Sequence, residues 1–485
     1  MPEQNKIKYS LNNKWLSILI IIVLVIGVYF RVVNLDKKVY WGDESFTSLR
    51  ISGYTLQEFQ NQAFIGKEMT LEELHKYQYP NPEKSVIGTI KGLAAEEPQH
   101  PPFYFVILRL WVQLFGNSVT VIRSFSVLVS LLAFPAIYWL CQELFNTPLT
   151  GWMTIALIAV SPFHLLYAQE ARSYSLWTLT ILLSSAALLQ AIRLKTKVSW
   201  GIYVATLALG LYTFVLSGLV AIGHGIYVLV NEGFRFSKIV KNYLLASLTV
   251  FILFIPWIIA TIANFVVASG TTGWTSEKVS LTSLVKTWVL NISRIFFDLN
   301  DSFIFTNGLI YIGILILVGY SLYFICRQSP KRFWSFVLGL IGVTALALAL
   351  PDLILGGIRS GVARYLIPCY LGCQIAVGYL LADKISYINI SKWRNLWQII
   401  TVVIISTGII SCAVIFQAET WWNKYLDYYY PSVAKIVNQS EKPLLIAYWV
   451  RLPSLSHNLD RKVILQSFNV SRFKLSSREI RGVNL

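Results

Sequence analysis

Residues 15–45 read WLSILIIIVLVIGVYFRVVNLDKKVYWGDES, and this stretch decides the fold. Its first part, Trp15 to Phe30, contains no charged residue and, with the valines that follow, is long enough to cross a hydrocarbon core of about 30 Å. No small-residue cleavage site follows it, which predicts an uncleaved membrane helix rather than a signal peptide. The acidic pair Asp43-Glu44 comes next, and carboxylates held against a bilayer are costly enough to suggest a chemical role.

The composition shows that the first span is one of many. Of the 485 residues, 55% are hydrophobic and only 13% are charged, whereas roughly a quarter of the residues in a soluble domain are charged. The chain is therefore predicted to be a polytopic membrane protein surrounded by membrane lipids. Its net charge of +17 is distributed over short loops between apolar segments, as expected for basic residues that orient membrane spans. The basic residues do not form one continuous surface, which disfavours nucleic-acid binding.

The basic loops also predict the orientation of the chain. Three lysines precede the first span (Lys6, Lys8 and Lys14), and further basic clusters lie at 193–197, 235–241, 327–332 and 384–394. If these flanks face the cytoplasm, the N-terminus lies inside and the loop that carries Asp43-Glu44 lies outside. The predicted location is the plasma (inner) membrane, with the polar clusters described below and the C-terminus on the extracytoplasmic side.

Thirteen transmembrane spans are predicted in an all-α polytopic fold. After the first, they are 103–116, two short helices within 118–145, 150–167, 173–194, 199–212, 214–230, 242–260, 304–325, 333–350, 365–382 and 396–416. The segment 118–145 is split near Pro135 because proline interrupts the helical hydrogen-bond ladder. The split also supplies an even number of crossings between the outer loops at 100 and 168.

Two outer segments stand apart from the spans. The predicted division is a transmembrane domain over 1–416, which includes a large outer loop at 34–101, and a short extracytoplasmic region over 417–485. Thr70 and Glu73 have the spacing of a capping box, so the loop is predicted to form short amphipathic helices along the membrane. Residues 443–450 have the pattern of a strand, although a tail of about seventy residues is small for an independent core.

Polar clusters recur at the predicted outer ends of the helices. The candidate site residues are Asp43, Glu44 and Glu170 for catalysis, and His100, Arg172, Tyr174, Arg359, Arg364 and Tyr365 for binding the substrate. Carboxylates can remove a proton from an acceptor hydroxyl or amine, while arginines neutralise a phosphate that leaves. The clusters are therefore predicted to surround one outward-facing cavity for an anionic, lipid-linked substrate.

Each cluster also has a purely structural interpretation. Asp43 and Glu44 would complement the dipole at a helix start, and His100 would cap a helix that begins with proline. Glu170 would pair with Arg172, and the arginines near 360 would extend to the membrane interface. The occurrence of all four clusters on one side of the membrane favours the functional interpretation.

Four stretches together resemble a known family. They are the Asp43-Glu44 pair after the first span, HPPFYF at 100–105 with LFG at 114–116, YAQEARSY at 167–174, and RYLIP at 364–368. In this order and spacing they resemble bacterial members of the protein O-mannosyltransferase-like family, glycosyltransferase family 39. Its relatives include the aminoarabinose transferases, and all lie within the C-type superfamily of membrane glycosyltransferases.

The resemblance implies a transferase that takes a hexose or pentose from a polyprenyl-phosphate carrier on the outer side of the membrane. The family's candidate base maps onto Asp43 with Glu44 beside it, the position that meets the lipid phosphate maps onto His100, and a second outer acid maps onto Glu170. The implied acceptor is a protein, a lipid or an envelope glycan. No cofactor is predicted with certainty, and the resemblance allows a divalent cation.

One departure from the family pattern narrows this prediction. Aminoarabinose transferases carry an acid and a lysine before the Pro-Pro pair, whereas this chain has Gln99 and His100. The difference disfavours a metal site at this position and an aminoarabinose transferase in the narrow sense. The leading hypothesis is an inverting displacement with Asp43 as the base; the alternatives are a transporter or flippase of an anionic lipid-linked substrate and a non-catalytic lipid-binding subunit.

Overall fold

The computed structural model describes residues 14–63, 66–300, 305–387 and 391–468, so Lys6 and Lys8 lie outside it. Its helices are α1 (Lys14–Val32), α2 (Gly42–Ser52), α3 (Leu56–Ala63), α4 (Leu71–His75), α5 (Val86–Glu96), α6 (Phe103–Phe115), α7 (Val119–Phe145), α8 (Pro148–Ala159), α9 (Pro162–Ala168), α10 (Tyr174–Leu194), α11 (Lys197–Thr213), α12 (Ser217–Asn231), α13 (Lys238–Ala263), α14 (Phe265–Thr272), α15 (Leu281–Ser293), α16 (Phe305–Gln328), α17 (Lys331–Leu355), α18 (Ile367–Tyr387), α19 (Ser391–Gln417), α20 (Tyr430–Gln439) and α21 (Leu452–Ser456). The strands are β1 (Glu68–Met69), β2 (Leu444–Tyr448) and β3 (Ile464–Phe468).

Long apolar helices dominate the fold, which confirms the prediction of a polytopic helical membrane protein. Within the described ranges, eight helices are long and apolar enough to cross a bilayer, and the bent pair α8–α9 supplies a ninth crossing if it counts as one span. The predicted number of thirteen spans is not confirmed. Helices α6 and α12 are apolar but shorter, with 13 and 15 residues.

The predicted break at Pro135 is wrong. Helix α7 is 27 residues long and continues without a break through this proline. Proline removes one backbone donor, and a helix largely buried by its neighbours can accommodate that loss. Helix α6, at about 1.5 Å per residue, is only about 20 Å long, which is too short to cross the hydrocarbon core. If α8–α9 counts as one span, the crossings by α7 and α8–α9 give the even number that the predicted orientation requires without α6.

The segment predicted as one span at 150–167 is broken in the structure. Helices α8 and α9 meet at an angle of 65°, and α9 begins at Pro162. Near the break, the carbonyl of Ile158 accepts the backbone N–H of Ser161 at 3.3 Å, and the last carbonyls of a helix have no full set of intrahelical donors. Arg31, at the end of α1, donates from Nη2 to the carbonyl of Ile158 at 2.9 Å and from Nη1 to that of Ala159 at 2.5 Å. A buried guanidinium therefore satisfies the helix end that the break exposes.

The chain divides into two compact units. The first comprises Met1–Leu35, Glu97–Tyr104 and Arg123–Gln417, and the second comprises Asp36–Glu96, Phe105–Ile122 and Ala418–Leu485. The predicted domain division into 1–416 and 417–485 stays a prediction. Most of the outer loop lies in the second unit together with the tail.

The second unit contains a small three-stranded sheet in the order β1-β3-β2. The predicted strand at 443–450 is confirmed as β2. Strand β3 pairs in parallel with β2 and antiparallel with β1 from the outer loop. The predicted capping box of Thr70 and Glu73 is confirmed at the start of α4. Loop and tail share one hydrophobic core, formed by Leu49, Tyr54, Phe59, Ala63, Met69, Leu71, Leu74, Tyr77, Leu452, Val463 and Leu465. The loop thus supplies the apolar surface that the tail alone is too short to provide.

Candidate active site

The segment 169–172, between α9 and α10 in the first unit, is tied to the end of α1. The side-chain amide of Gln169 donates to the carbonyl of Phe30 at 2.7 Å and to that of Val33 at 3.0 Å. These carbonyls belong to the last turn of α1 and the residue beyond it, where intrahelical donors are lacking. The sequence alone assigned no role to Gln169, and the available signal was only its position beside Glu170.

Two of the predicted binding residues are in direct contact. Arg172 Nη2 donates to His100 Nε2 at 3.3 Å, so the half-buried imidazole accepts at that nitrogen in this arrangement. Glu170 is completely buried, and Tyr167 interacts electrostatically with both Glu170 and Arg364. The acid and the arginines therefore share one polar region.

Tyr174 lies between two arginines. Its ring centroid is 5.9 Å from the guanidinium carbon of Arg172 and 5.7 Å from that of Arg364. The Arg364 guanidinium is also 5.8 Å from the ring of Tyr365 and 5.9 Å from that of Trp274. We call His100, Glu170, Arg172, Tyr174 and Arg364 the arginine cluster. It combines two guanidinium groups with aromatic faces, which hold arginines in place while their N–H groups stay directed toward an anion.

Arg359 takes part in a separate network in the first unit. Its Nη1 pairs with Asp352 Oδ1 at 3.0 Å, and its Nη2 donates to Ser276 Oγ at 2.5 Å. Asp352 Oδ2 accepts from both the backbone N–H and the hydroxyl of Ser360, at 2.6 and 2.7 Å. These bonds stabilise the loop after α17, and a substrate contact by Arg359 stays a prediction.

Asp43 and Glu44 lie in the second unit, in the first turn of α2. The helix-start interpretation is therefore correct as a description of their position. Glu44 is completely buried and forms an ion pair with Lys424 of the tail, with 2.7 Å between Oε2 and Nζ. Asp43 is half-buried. Sequence analysis missed Lys424, because nothing in the local pattern of the tail connects it to a residue 380 positions earlier.

Each unit thus contains its own set of candidate residues. The first unit brings together His100, Glu170, Arg172, Tyr174, Arg364 and Tyr365, and the second carries Asp43 and Glu44. A single cavity surrounded by all four clusters stays a prediction. In the parts of the chain that the structure describes, no three His, Cys, Asp or Glu side chains form a group that could hold a metal ion. The divalent cation that the resemblance allows also stays a prediction.

Comparisons with known proteins bear on both the fold and the arginine cluster. Residues 99–259 match the model of the family described as dolichyl-phosphate-mannose-protein mannosyltransferase. This segment includes His100, Glu170, Arg172 and Tyr174. No curated protein matches the sequence.

Solved structures match almost the whole chain at low sequence identity. ArnT from Cupriavidus metallidurans in the apo state is 13% identical over 93% of this chain and 85% of that chain, with a TM-score of 0.53. ArnT bound to undecaprenyl phosphate gives a TM-score of 0.51 at 14% identity, with the same coverage of both chains. The oligosaccharyltransferase AglB from Archaeoglobus fulgidus, in complex with an inhibitory peptide and a dolichol-phosphate, is 14% identical with a TM-score of 0.52. The match covers 92% of this chain but only 64% of AglB, slightly less than two thirds of its length.

The class of protein that these features define is a polytopic helical membrane protein with a fold similar to that of ArnT and AglB. The resemblance to the protein O-mannosyltransferase-like family is confirmed, in sequence for residues 99–259 and in fold for nearly the whole chain.

Proposed function

We propose that the protein transfers a sugar from a polyprenyl-phosphate carrier to an acceptor on the extracytoplasmic side of the membrane. The arginine cluster is the observation that carries this proposal, because two guanidinium groups provide the donors that a phosphate monoester or diester requires. The structures of ArnT with undecaprenyl phosphate and of AglB with a dolichol-phosphate support it, since both have this fold.

In the proposed reaction, Asp43 removes a proton from a hydroxyl or amine of the acceptor. The acceptor atom then forms a bond to the anomeric carbon of the sugar, while the bond from that carbon to the phosphate oxygen breaks. The phosphate oxygen takes the electron pair of the broken bond, and the phosphate leaves attached to the lipid carrier. A single displacement of this kind inverts the anomeric configuration. General-base assistance typically contributes a factor of about 10² to 10⁴ to the rate.

The binding residues divide the work of stabilising the phosphate. Arg172 and Arg364 neutralise the charge that develops on the leaving oxygen. Both guanidinium groups contact the ring of Tyr174, which holds them in position. His100 contacts the phosphate when Arg172 turns from its imidazole toward the ligand. Glu170 provides a buried negative charge that keeps the cationic groups together in the absence of the donor. Arg359 and Tyr365 extend the anion-binding surface.

Substitution of Asp43 tests this proposal most directly. The protein is reconstituted in nanodiscs and supplied with a panel of radiolabelled undecaprenyl-phosphate hexoses and pentoses. Asp43→Asn is expected to lower turnover by about 10² or more while binding of the donor is retained, because only the base is lost. Asp460→Asn is the matched control, since Asp460 is an exposed aspartate in the same unit. Near-wild-type turnover by Asp43→Asn would exclude this residue as the base.

A further inference from the structure

The start of helix α2 lacks the side-chain cap that helices usually have. Trp41 occupies the N-cap position and makes no side-chain hydrogen bond to the first turn. A residue of the tail takes over that function, because Asp427 Oδ2 accepts the backbone N–H of Gly42 at 2.5 Å. A carboxylate at this position also complements the positive end of the helix dipole.

A second contact from the tail is the buried ion pair between Lys424 and Glu44. The side chains of these two residues are only 1% and 0% exposed. Lys424 Nζ also donates to the carbonyl of Val39 at 3.1 Å, and it lies 5.8 Å from the ring of Trp41. One ammonium group thus connects the chain before α2 to the first turn of α2, and Asp43 lies between these two points.

Further contacts extend the same arrangement. The backbone N–H of Val39 donates to the carbonyl of Glu419 at 2.8 Å, and Ser45 Oγ lies 3.3 Å from Ser454 Oγ. Arg451 pairs with Asp427 at 3.3 Å, which holds the capping carboxylate in place. Residues on both sides of Asp43 are therefore bonded to the tail.

We infer that the C-terminal tail is a positioning element for Asp43, with Lys424 and Asp427 as its positioning residues. The inference rests on the proposed role of Asp43 as the base. Lys424 compensates the buried charge of Glu44, the residue that follows Asp43 in the first turn of α2. Asp427 fixes the position of the backbone from which the Asp43 side chain projects.

The arrangement predicts a specific kinetic effect. A general base acts only when it is within hydrogen-bond reach of the acceptor, and a displacement of about 1 Å can lower the rate by about a hundredfold. Loss of the tail contacts should therefore lower kcat. The KM for the donor should change little, because its proposed phosphate contacts come from the arginine cluster.

The test compares two disruptive variants with two controls. Lys424→Met removes the ammonium group, and Asp427→Ala removes the acceptor of the Gly42 N–H. Asp427→Asn keeps an oxygen that can accept this N–H, so it should recover most of what Asp427→Ala loses. Lys435→Met is the matched lysine control, because Lys435 pairs with Glu419 at the surface of the same unit and its side chain is 66% exposed.

Two measurements are made on the full-length protein in nanodiscs. Hydrogen exchange of residues 39–48 reports how well the backbone amides of the turn are protected. Steady-state kinetics report kcat and KM, with undecaprenyl-phosphate mannose or another donor of the panel that the protein accepts. Lys424→Met and Asp427→Ala are expected to speed exchange in 39–48 and to lower kcat at least tenfold, with KM within about twofold of wild type. Exchange in α7 should be unchanged, which shows that the variants are folded.

The outcomes separate this inference from the proposed function. If Lys424→Met and Asp427→Ala match Lys435→Met in exchange or in kcat, the positioning role of the tail is overturned. A loss that appears in KM instead of kcat would overturn it as well. Full activity of Asp43→Asn would instead refute the base assignment, and exchange in 39–48 would still report whether the tail holds this turn.

Discussion

Replacing Arg31 with methionine should destabilise the first unit strongly. The guanidinium of Arg31 is buried and donates to the carbonyls of Ile158 and Ala159 at the break between α8 and α9. Arg31 Nη1 also donates to the carbonyl of Gly27 at 2.9 Å. A hydrogen bond to a charged group contributes about 1.5–3 kcal/mol, so the loss of the two bonds to α8 alone corresponds to about 3–6 kcal/mol. Methionine fills much of the same volume, so the effect reports the lost bonds rather than a large cavity.

The assay is unfolding of the purified protein in detergent micelles, followed by near-ultraviolet circular dichroism and by transferase activity. Activity should fall with stability, because α9 leads directly into the segment 169–172. Arg31→Lys is the control that keeps the charge but has no planar fork for two carbonyls, and it should recover about half of the loss. Leu194→Met is the matched background control, at an exposed position on the same unit.

A destabilisation below about 1 kcal/mol in Arg31→Met would refute this reasoning. It would mean that backbone rearrangement or water satisfies the carbonyls at the end of α8 without the guanidinium. An equal loss in Arg31→Lys and Arg31→Met would show that the fork geometry, and not the charge, stabilises the break.

Three further predictions concern Gln169, Arg364 and His75. Gln169→Leu should lower the free energy of unfolding by about 1–3 kcal/mol, measured in the same unfolding assay, because it leaves the carbonyls at the end of α1 without their amide donor. Arg364→Gln should weaken binding of undecaprenyl phosphate about tenfold or more, measured by microscale thermophoresis, while Arg327→Gln should leave it unchanged. Burial lowers the pKa of His75 below its ordinary value of 6.5, so the unfolded chain binds more protons and the stability of the second unit should fall as pH drops through 6.5. His75→Asn should flatten this dependence when melting temperatures are compared at pH 7.5 and 5.5, and an unchanged slope would contradict the assignment.

Features that depend on local sequence were predicted well. The first span, the capping box at Thr70 and the strand at 443–450 were predicted correctly, because apolar length, cap residues and alternation act over a few neighbouring positions. The split at Pro135 failed for a non-local reason. Proline weakens a helix by a fixed local amount, but burial by neighbouring helices can outweigh it, and a sequence pattern does not show that burial.

The candidate site shows the same division. The sequence by itself determined that the chain is a polytopic membrane protein, because this property follows from hydrophobicity along the chain; that acids, a histidine and arginines gather in the loops of one side stays a prediction. Only the tertiary structure decided that Arg172 meets His100, that Arg31 supports the break after α8, and that Lys424 neutralises Glu44. Each of these contacts joins positions 72 or more residues apart, and their energies depend on burial and distance in the folded chain.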